Sequence, residues 1–315
     1  MKIGVIILNY NGWMDTQACA ESVLASAEAP SWVIIVDDAS PNGSVSMLRQ
    51  WATGTGESTP REAGASTCCP KPLPLVEIVN GETPDIPVGS VILLRNTKNI
   101  GYAAGNNAGI RLLMQWGAEA VWILNSDTVV DKGALGAMRT RLFAKRRPGL
   151  CGARILYMGT DLLQCRAGGR TNPWTGLSVL DGHKRPANEA LLDSPEAVEQ
   201  RINFIYGACV LVSRDFIETV GLMDERYFLY SEEQDWAYSA KGLFSFAYAP
   251  DAVVYHKEGA TTGFSYRQFN ARALYHMTRS RLLLTAKHVP WALPTVCLSI
   301  VFAALRMAWR RVLAA

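Results

Sequence analysis

Unbroken apolar runs rich in β-branched residues occur at 3–8 (IGVIIL), 32–37 (WVIIVD), 91–96 (VILLRN) and 121–125 (VWILN). Each is bounded by turn residues and has the length of a strand buried on both faces. Between them the apolar spacing changes to that of a helix. Thr16, Cys19, Ala20, Val23 and Leu24 share one helical face, Val45, Leu48 and Trp51 predict a short helix, and residues 103–116 predict another. Strand, helix, strand in this order predicts a parallel sheet with right-handed crossovers. Ligands bind beyond the carboxyl ends of the strands in such sheets. The polar tips there are Asn9-Tyr10-Asn11, Asp37-Asp38, Arg95-Asn96 and Asn125-Ser126-Asp127, so four strands aim hydrogen-bonding groups at one crevice.

Residues 53–90 break the rhythm with TGTGESTPREAGAS and several prolines, which predicts a surface excursion carrying one strand at LVEIV. From about 150 the alternation loosens, and AGGRTNPWTGLSVLDGHKRP predicts a loop-rich wall for a second substrate. The pattern tightens again from FIYGACVLVS onward. The end differs in kind: 289–305 (VPWALPTVCLSIVFAAL) holds no charge, is short for a bilayer span and contains two prolines. Arg279, Arg281 and Lys287 precede it, and Arg306, Arg310 and Arg311 follow. Charge on both flanks suits helices lying on an anionic membrane surface, and equally a helical pair packed on the core or on a second copy as a homo-oligomer. A true span is the weaker reading.

At 315 residues and 49% hydrophobic the chain has the composition of a globular protein. A net charge of +3 gives no support to a nucleic-acid groove. Seven cysteines without ligand-like spacing, two of them the adjacent Cys68-Cys69, predict a reducing compartment. The opening MKIGVIILNYNGW has one Lys and only a short apolar run, so it reads as a first strand and the protein is expected in the cytoplasm, with the inner face of the cell membrane as its candidate surface.

Three further groups carry chemistry. A carboxylate at a strand tip, Asp127, near Asp37 and Asp38, suits a ribose, a base or a cation bearing a diphosphate, although capping a helix near Asp131 would also explain it. In YSEEQDW, Glu232, Glu233 and Asp235 crowd a helix start, where capping is the default role for at least one of them, and like charges that close raise one another's pKa, as a proton-accepting base requires. His256, ending an apolar run, suits a metal or a phosphate. By contrast, NIGYAAGNNAGI (99–110) matches no phosphate-cradling glycine spacing, and its small residues predict close helix packing beneath the crevice.

The order LNYNG, VDDASPNGS, NIGYAAGNNAGI, LNSDT, YGACVLVSRDFIETVGLMDERYFLYSEEQDW and PDAVVYHKEG resembles the family 2 glycosyltransferases of GT-A fold, in particular the bacterial rhamnosyltransferase-like branch. The resemblance covers most of 3–260 and rests on six motifs in order. It implies an α/β GT-A domain over 1–265, with 1–130 binding the nucleotide sugar and 131–265 the acceptor, and a helical extension over 266–315. It also implies that Tyr10 and Asp37 hold the base and ribose, with Asn99 and Asn107 lining the same pocket. Asn125 stands where the family's metal motif has its first Asp, and Asp127 where it has the last. Asp127 and His256 would then hold Mn²⁺ or Mg²⁺ against the donor diphosphate. Glu233 matches the catalytic base, usually an Asp, and Glu232 is its possible substitute. The implied reaction is inverting transfer from dTDP-rhamnose or a UDP-hexose to a glycan or lipid-linked glycan acceptor. Two rival readings stand beside it, a nucleotidyltransferase and a non-catalytic sugar-nucleotide-binding scaffold. The first would place a basic glycine-rich loop where Tyr10-Asn11-Gly12-Trp13 stands.

Overall fold

The computed structural model describes residues 1–55, 70–240, 242–258 and 271–314. Cys68-Cys69 and most of the glycine-rich part of the 53–90 excursion lie outside them. The predicted strands form as β1 (Ile3–Asn9), β2 (Trp32–Asp37), β4 (Ser90–Arg95) and β5 (Ala120–Asn125), joined at the edge by β3 (Leu75–Val79) from the excursion. They run parallel in the order β3-β4-β2-β1-β5, with Asn9 opposite Asp37 and Asp37 opposite Arg95. The polar tips therefore do lie side by side.

Helices α1 (Trp13–Leu24) and α2 (Ser44–Thr53) cover one face of this sheet, and α3 (Tyr102–Gln115) covers the other. The small residues of α3 have the expected use. A Cβ on Gly105 would lie 2.7 Å from Leu8 Cδ1, so glycine lets the helix ride directly on β1.

Beyond β5, the short β6 (Thr128–Val130) leads into α4 (Ala134–Phe143). The next stretch is not the loop-rich wall that its composition predicts. It forms β7 (Pro148–Tyr157), β8 (Leu163–Arg166), β9 (Gly168–Thr171) and β10 (Ser178–Leu180), then α5 (Pro195–Arg201), β11 (Phe204–Ile205), β12 (Cys209–Ser213) and α6 (Arg214–Val220). β12 pairs antiparallel with both β5 and β7, and the later strand β13 (Ser245–His256) lies between β7 and β6, so one ten-stranded sheet runs through both expected halves. β10, β9 and β11 make a second, three-stranded sheet. The glycines explain the misreading: a Cβ on Gly168 would be 2.1 Å from Phe204 O and one on Gly169 2.4 Å from Val179 O, so close strand approach demanded residues that look like a loop.

The acidic motif opens α7 (Glu232–Ala240), and the C-terminal extension is a helical pair, α8 (Ala271–His288) and α9 (Leu293–Ala314). α8 is fastened to the body. Buried Asp235 accepts from Lys287 Nζ at 2.8 Å, meets His288 Nε2 at 2.8 Å and takes the Tyr227 hydroxyl at 3.1 Å. Arg279 Nη1 and Ser280 Oγ donate to the carbonyls of Arg226 and Leu229. The third acid of the motif thus serves the extension. Removing one partner from a buried ionic group leaves the others uncompensated. Asp235→Ala is accordingly expected to lose about 3 kcal/mol in urea unfolding, whereas a loss below a few tenths would show that α8 is only loosely held.

Candidate active site

Every tip in the crevice is set by the local chain. Asp37 is buried and accepts from Asn9 Nδ2 at 2.7 Å and Ser40 N at 3.0 Å, which fixes the turn after β2. Tyr10, half-buried, follows the end of β1 beside it. Asp38 binds the loop into α3 by accepting from Asn96 Nδ2 (2.9 Å), Ile100 N (3.1 Å) and Gly101 N (3.0 Å). Burial pushes its carboxyl up, while those donors pull the other way. Asn99, half-buried, accepts from Gly101 N at 3.1 Å and shapes the same turn. Gly101 has φ +87°, and a Cβ there would sit 2.5 Å from Phe228 O, so glycine alone brings α3 against the Phe228 loop. Asn107 does not reach the crevice: fully buried, its amide donates to Met223 O (2.8 Å) and Glu225 Oε1 (3.1 Å) and accepts from Met223 N (3.1 Å).

At the tip of β5, Asp127 is buried and meets His256 Nε2 at 3.0 Å, while His256 Nδ1 lies 2.7 Å from Gln164 Oε1. Asp127 therefore does not cap α4, whose turn is instead held by Asp131 Oδ1 accepting from Gly133 N at 3.0 Å. Both ring nitrogens of His256 face oxygens; with a cation beside Asp127, a proton on Nδ1 toward Gln164 would leave the Nε2 lone pair to serve as its ligand. One carboxylate and one such imidazole fit Mg²⁺ or Mn²⁺, which take one or two protein ligands and complete their shell with phosphate oxygens and water. Among the described residues no group of three or more His, Cys, Asp or Glu side chains could hold a metal by itself.

Across the crevice stand Glu232 and Glu233. Tyr230 and Ser231, just before them, have φ +69° and +67°. Two successive non-glycine residues in the left-handed region cost roughly 1–3 kcal/mol each and persist only where the surroundings impose them. A proton kept on Glu232 would bridge it to the Glu233 carboxylate, which then accepts. Burial pushes both up, Glu232 further because it also faces the charge of Glu233, and Glu233 reaches about 7. One oxygen of each, Oε2, is buried and has no hydrogen-bond partner among the described residues.

Tyr102, unremarked in the sequence reading, joins the two sides. Its hydroxyl donates to Gly207 O at 2.8 Å and lies 3.0 Å from Asn125 Oδ1 at the β5 tip. A Cβ on Gly207 would be 3.7 Å from the Glu233 carboxyl carbon, so Asn125, Tyr102, Gly207 and Glu233 form a continuous wall. Burial and the charges of Glu232, Glu233 and Asp127 push the phenol far up, keeping it a neutral donor. The available signal was its position, a hydroxyl opening α3 directly beyond Gly101.

No protein-family model matches the chain. Among similar proteins is the N-acetylglucosaminyl-diphospho-decaprenol L-rhamnosyltransferase of Mycobacterium tuberculosis, 24% identical over 254 residues, which cover 73% of this chain and 80% of the relative. The low-salt glycan biosynthesis hexosyltransferase Agl10 of Haloferax volcanii is 26% identical over 144 residues, covering 45% and 44% of the two chains. Among solved structures, the mannosyltransferase PcManGT of Pyrobaculum calidifontis, in complex with GDP-Man and Mn²⁺, superposes with a TM-score of 0.54 at 17% identity over 96% of this chain and 75% of that one. GalNAc-T7 with UDP, GalNAc and Mn²⁺ gives 0.57 at 14% identity, covering 90% of this chain, which spans about half (47%) of GalNAc-T7. The fold is GT-A. In GT-A terms the described tips of β1, β2, β4 and β5 form the crevice floor, with the Asp127–His256 and Glu232–Glu233 pairs on its walls.

The raised carboxyls set a stability dependence. A group whose folded pKa lies above its unfolded value stabilises fully below the unfolded value and loses that contribution as pH rises through the folded one. For Glu233 the window runs from the ordinary 4.5 to about 7. Glu232→Gln removes the more strongly shifted group, so its melting temperature relative to the parent is expected to rise between pH 5 and pH 8. A constant difference across that range would show that the pair is not sharing a proton.

Proposed function

We propose that the chain is an inverting glycosyltransferase that uses a nucleotide-diphosphate sugar, with dTDP-rhamnose or a UDP-hexose as donor and a hydroxyl of a glycan or lipid-linked glycan as acceptor. The observation that carries this reading is the Glu232–Glu233 pair. A carboxyl held near neutrality, with an unpartnered buried oxygen at a crevice wall, is suited to accept a proton from an incoming hydroxyl. Similarity to a rhamnosyltransferase and a hexosyltransferase supports the reaction class.

Within it, Glu233 takes the acceptor proton as the acceptor oxygen attacks the anomeric carbon from the side opposite the departing diphosphate. Inversion needs no covalent intermediate. Glu232, protonated, holds Glu233 in place and keeps its charge single. Tyr102 fixes Asn125 against the wall, and Tyr10 and Asp37 contact the nucleoside. Asp127 and His256 would hold Mn²⁺ or Mg²⁺, which when bound supplies positive charge beside the leaving diphosphate.

A panel of nucleotide sugars, followed by nucleoside diphosphate release with and without glycan acceptors, tests the proposal. Turnover of at least one donor is expected. Release of pyrophosphate from a nucleoside triphosphate would make the chain a nucleotidyltransferase, and binding without turnover of any donor would make it a scaffold.

A further inference from the structure

We propose that the outward face of the α8–α9 helical pair docks on an anionic lipid surface, an inference that stands independently of the reaction above. Charge is divided sharply along the chain. All 28 acidic residues precede position 259, while 7 of the 31 basic residues fall within 271–315. The last 45 residues thus carry +7 and the rest −4. Arg272, Arg279 and Arg306 are exposed and have no carboxylate partner among the described residues.

The same face is apolar between its cations. On α9, Leu298, Val301, Phe302, Leu305 and Trp309 repeat at helical spacing and are 55–69% exposed, with Trp291 66% exposed at the hinge. On α8 an open groove of about 850 Å³ is lined chiefly by Leu274, Tyr275, Leu282, Leu283 and Leu293, with Arg279 at its edge. α8's opposite face is already spent on the body through Ser280, Lys287 and His288. None of the described helices is long and apolar enough to cross a bilayer. Apolar side chains interleaved with arginines and tryptophans on helices that do not span describe an element lying in the interface plane.

Charge selects lipid over a second copy. Two copies meeting through this same face would bring the exposed Arg272, Arg279 and Arg306 of one against those of the other, whereas an anionic surface attracts them and repels the negative remainder, which fixes the orientation. Docked in this way, α8 brings the crevice rim with it: His276 stacks on Phe228 at 4.8 Å, and Arg272 lies 5.7 Å over the same ring.

The test is flotation of the full chain with vesicles of phosphatidylcholine alone or mixed with phosphatidylglycerol, beside light scattering of the protein without lipid. Binding is expected only to the mixed vesicles, weakened tenfold or more when salt is raised from about 0.1 M to about 0.5 M. The exposed double variant Phe302→Glu, Leu305→Glu should reduce binding at least tenfold with an unchanged melting temperature. Equal binding to neutral vesicles, no binding to either, or retention of full binding by the double variant would overturn the proposal. A dimer in the parent that the double variant abolishes would also overturn it, because the face would then belong to a second copy.

Discussion

Glu233→Gln is expected to bind nucleoside diphosphate as the parent does and to transfer sugar about 10²–10⁴ times more slowly, the range typical of a lost general base. The substitution keeps the shape of the side chain and its contact with Glu232. Only the proton acceptor is lost. The parent's rate should rise with pH through about 7, where Glu233 ionises, and level off above it. The variant should lack that rise. Glu232→Gln should cost less and leave the inflection near its parent value, because the amide can still donate to Glu233 as the protonated carboxyl does. If Glu232→Gln is the dead variant and Glu233→Gln the active one, the assignment moves by one residue. If both retain full rate, the pair is not the base.

Asp127→Ala is the second large effect. His256 meets its carboxylate, and the neighbouring strand-tip position that could have shared the charge holds Asn125. Removal should abolish cation-dependent donor binding, measured as the thermal shift given by a nucleoside diphosphate with Mn²⁺ over the nucleotide alone. Turnover should fall by on the order of 10² or more, as for other losses of charge stabilisation at a leaving group. An unchanged shift and unchanged turnover would remove Asp127 from the site. His256→Ala should act in the same direction more weakly. A drop in melting temperature with the Mn²⁺ dependence intact would assign His256 to structure.

The first half of the fold was legible because doubly buried parallel strands write themselves as unbroken Val, Ile and Leu runs with polar ends. The stretch from about 150 to 205 was not. β7 starts at a proline and β9 reads Gly-Gly-Arg-Thr, since close backbone approach excludes the branched residues that usually announce a strand. Tip residues were legible for the same reason as the strands: Asp127 and His256 each end an apolar run, and the structure brings them together. Tyr102 and Gln164 escaped notice because their value depends on partners distant in sequence, Gly207 for one and His256 for the other. Asn107 shows the converse. From sequence alone, an amide that satisfies a buried backbone turn cannot be told from one that greets a ligand.

The bond between Asp235 and the paired Lys287 and His288 has a consequence for how such a chain can be cut and recombined. A boundary drawn after β13 would sever the Asp235 carboxylate from both Lys287 and His288, although the strands would be complete. Helix α7 and the tail are therefore one heritable unit: a tail exchanged for another must bring its own cation to that position, or position 235 must become neutral in the same step.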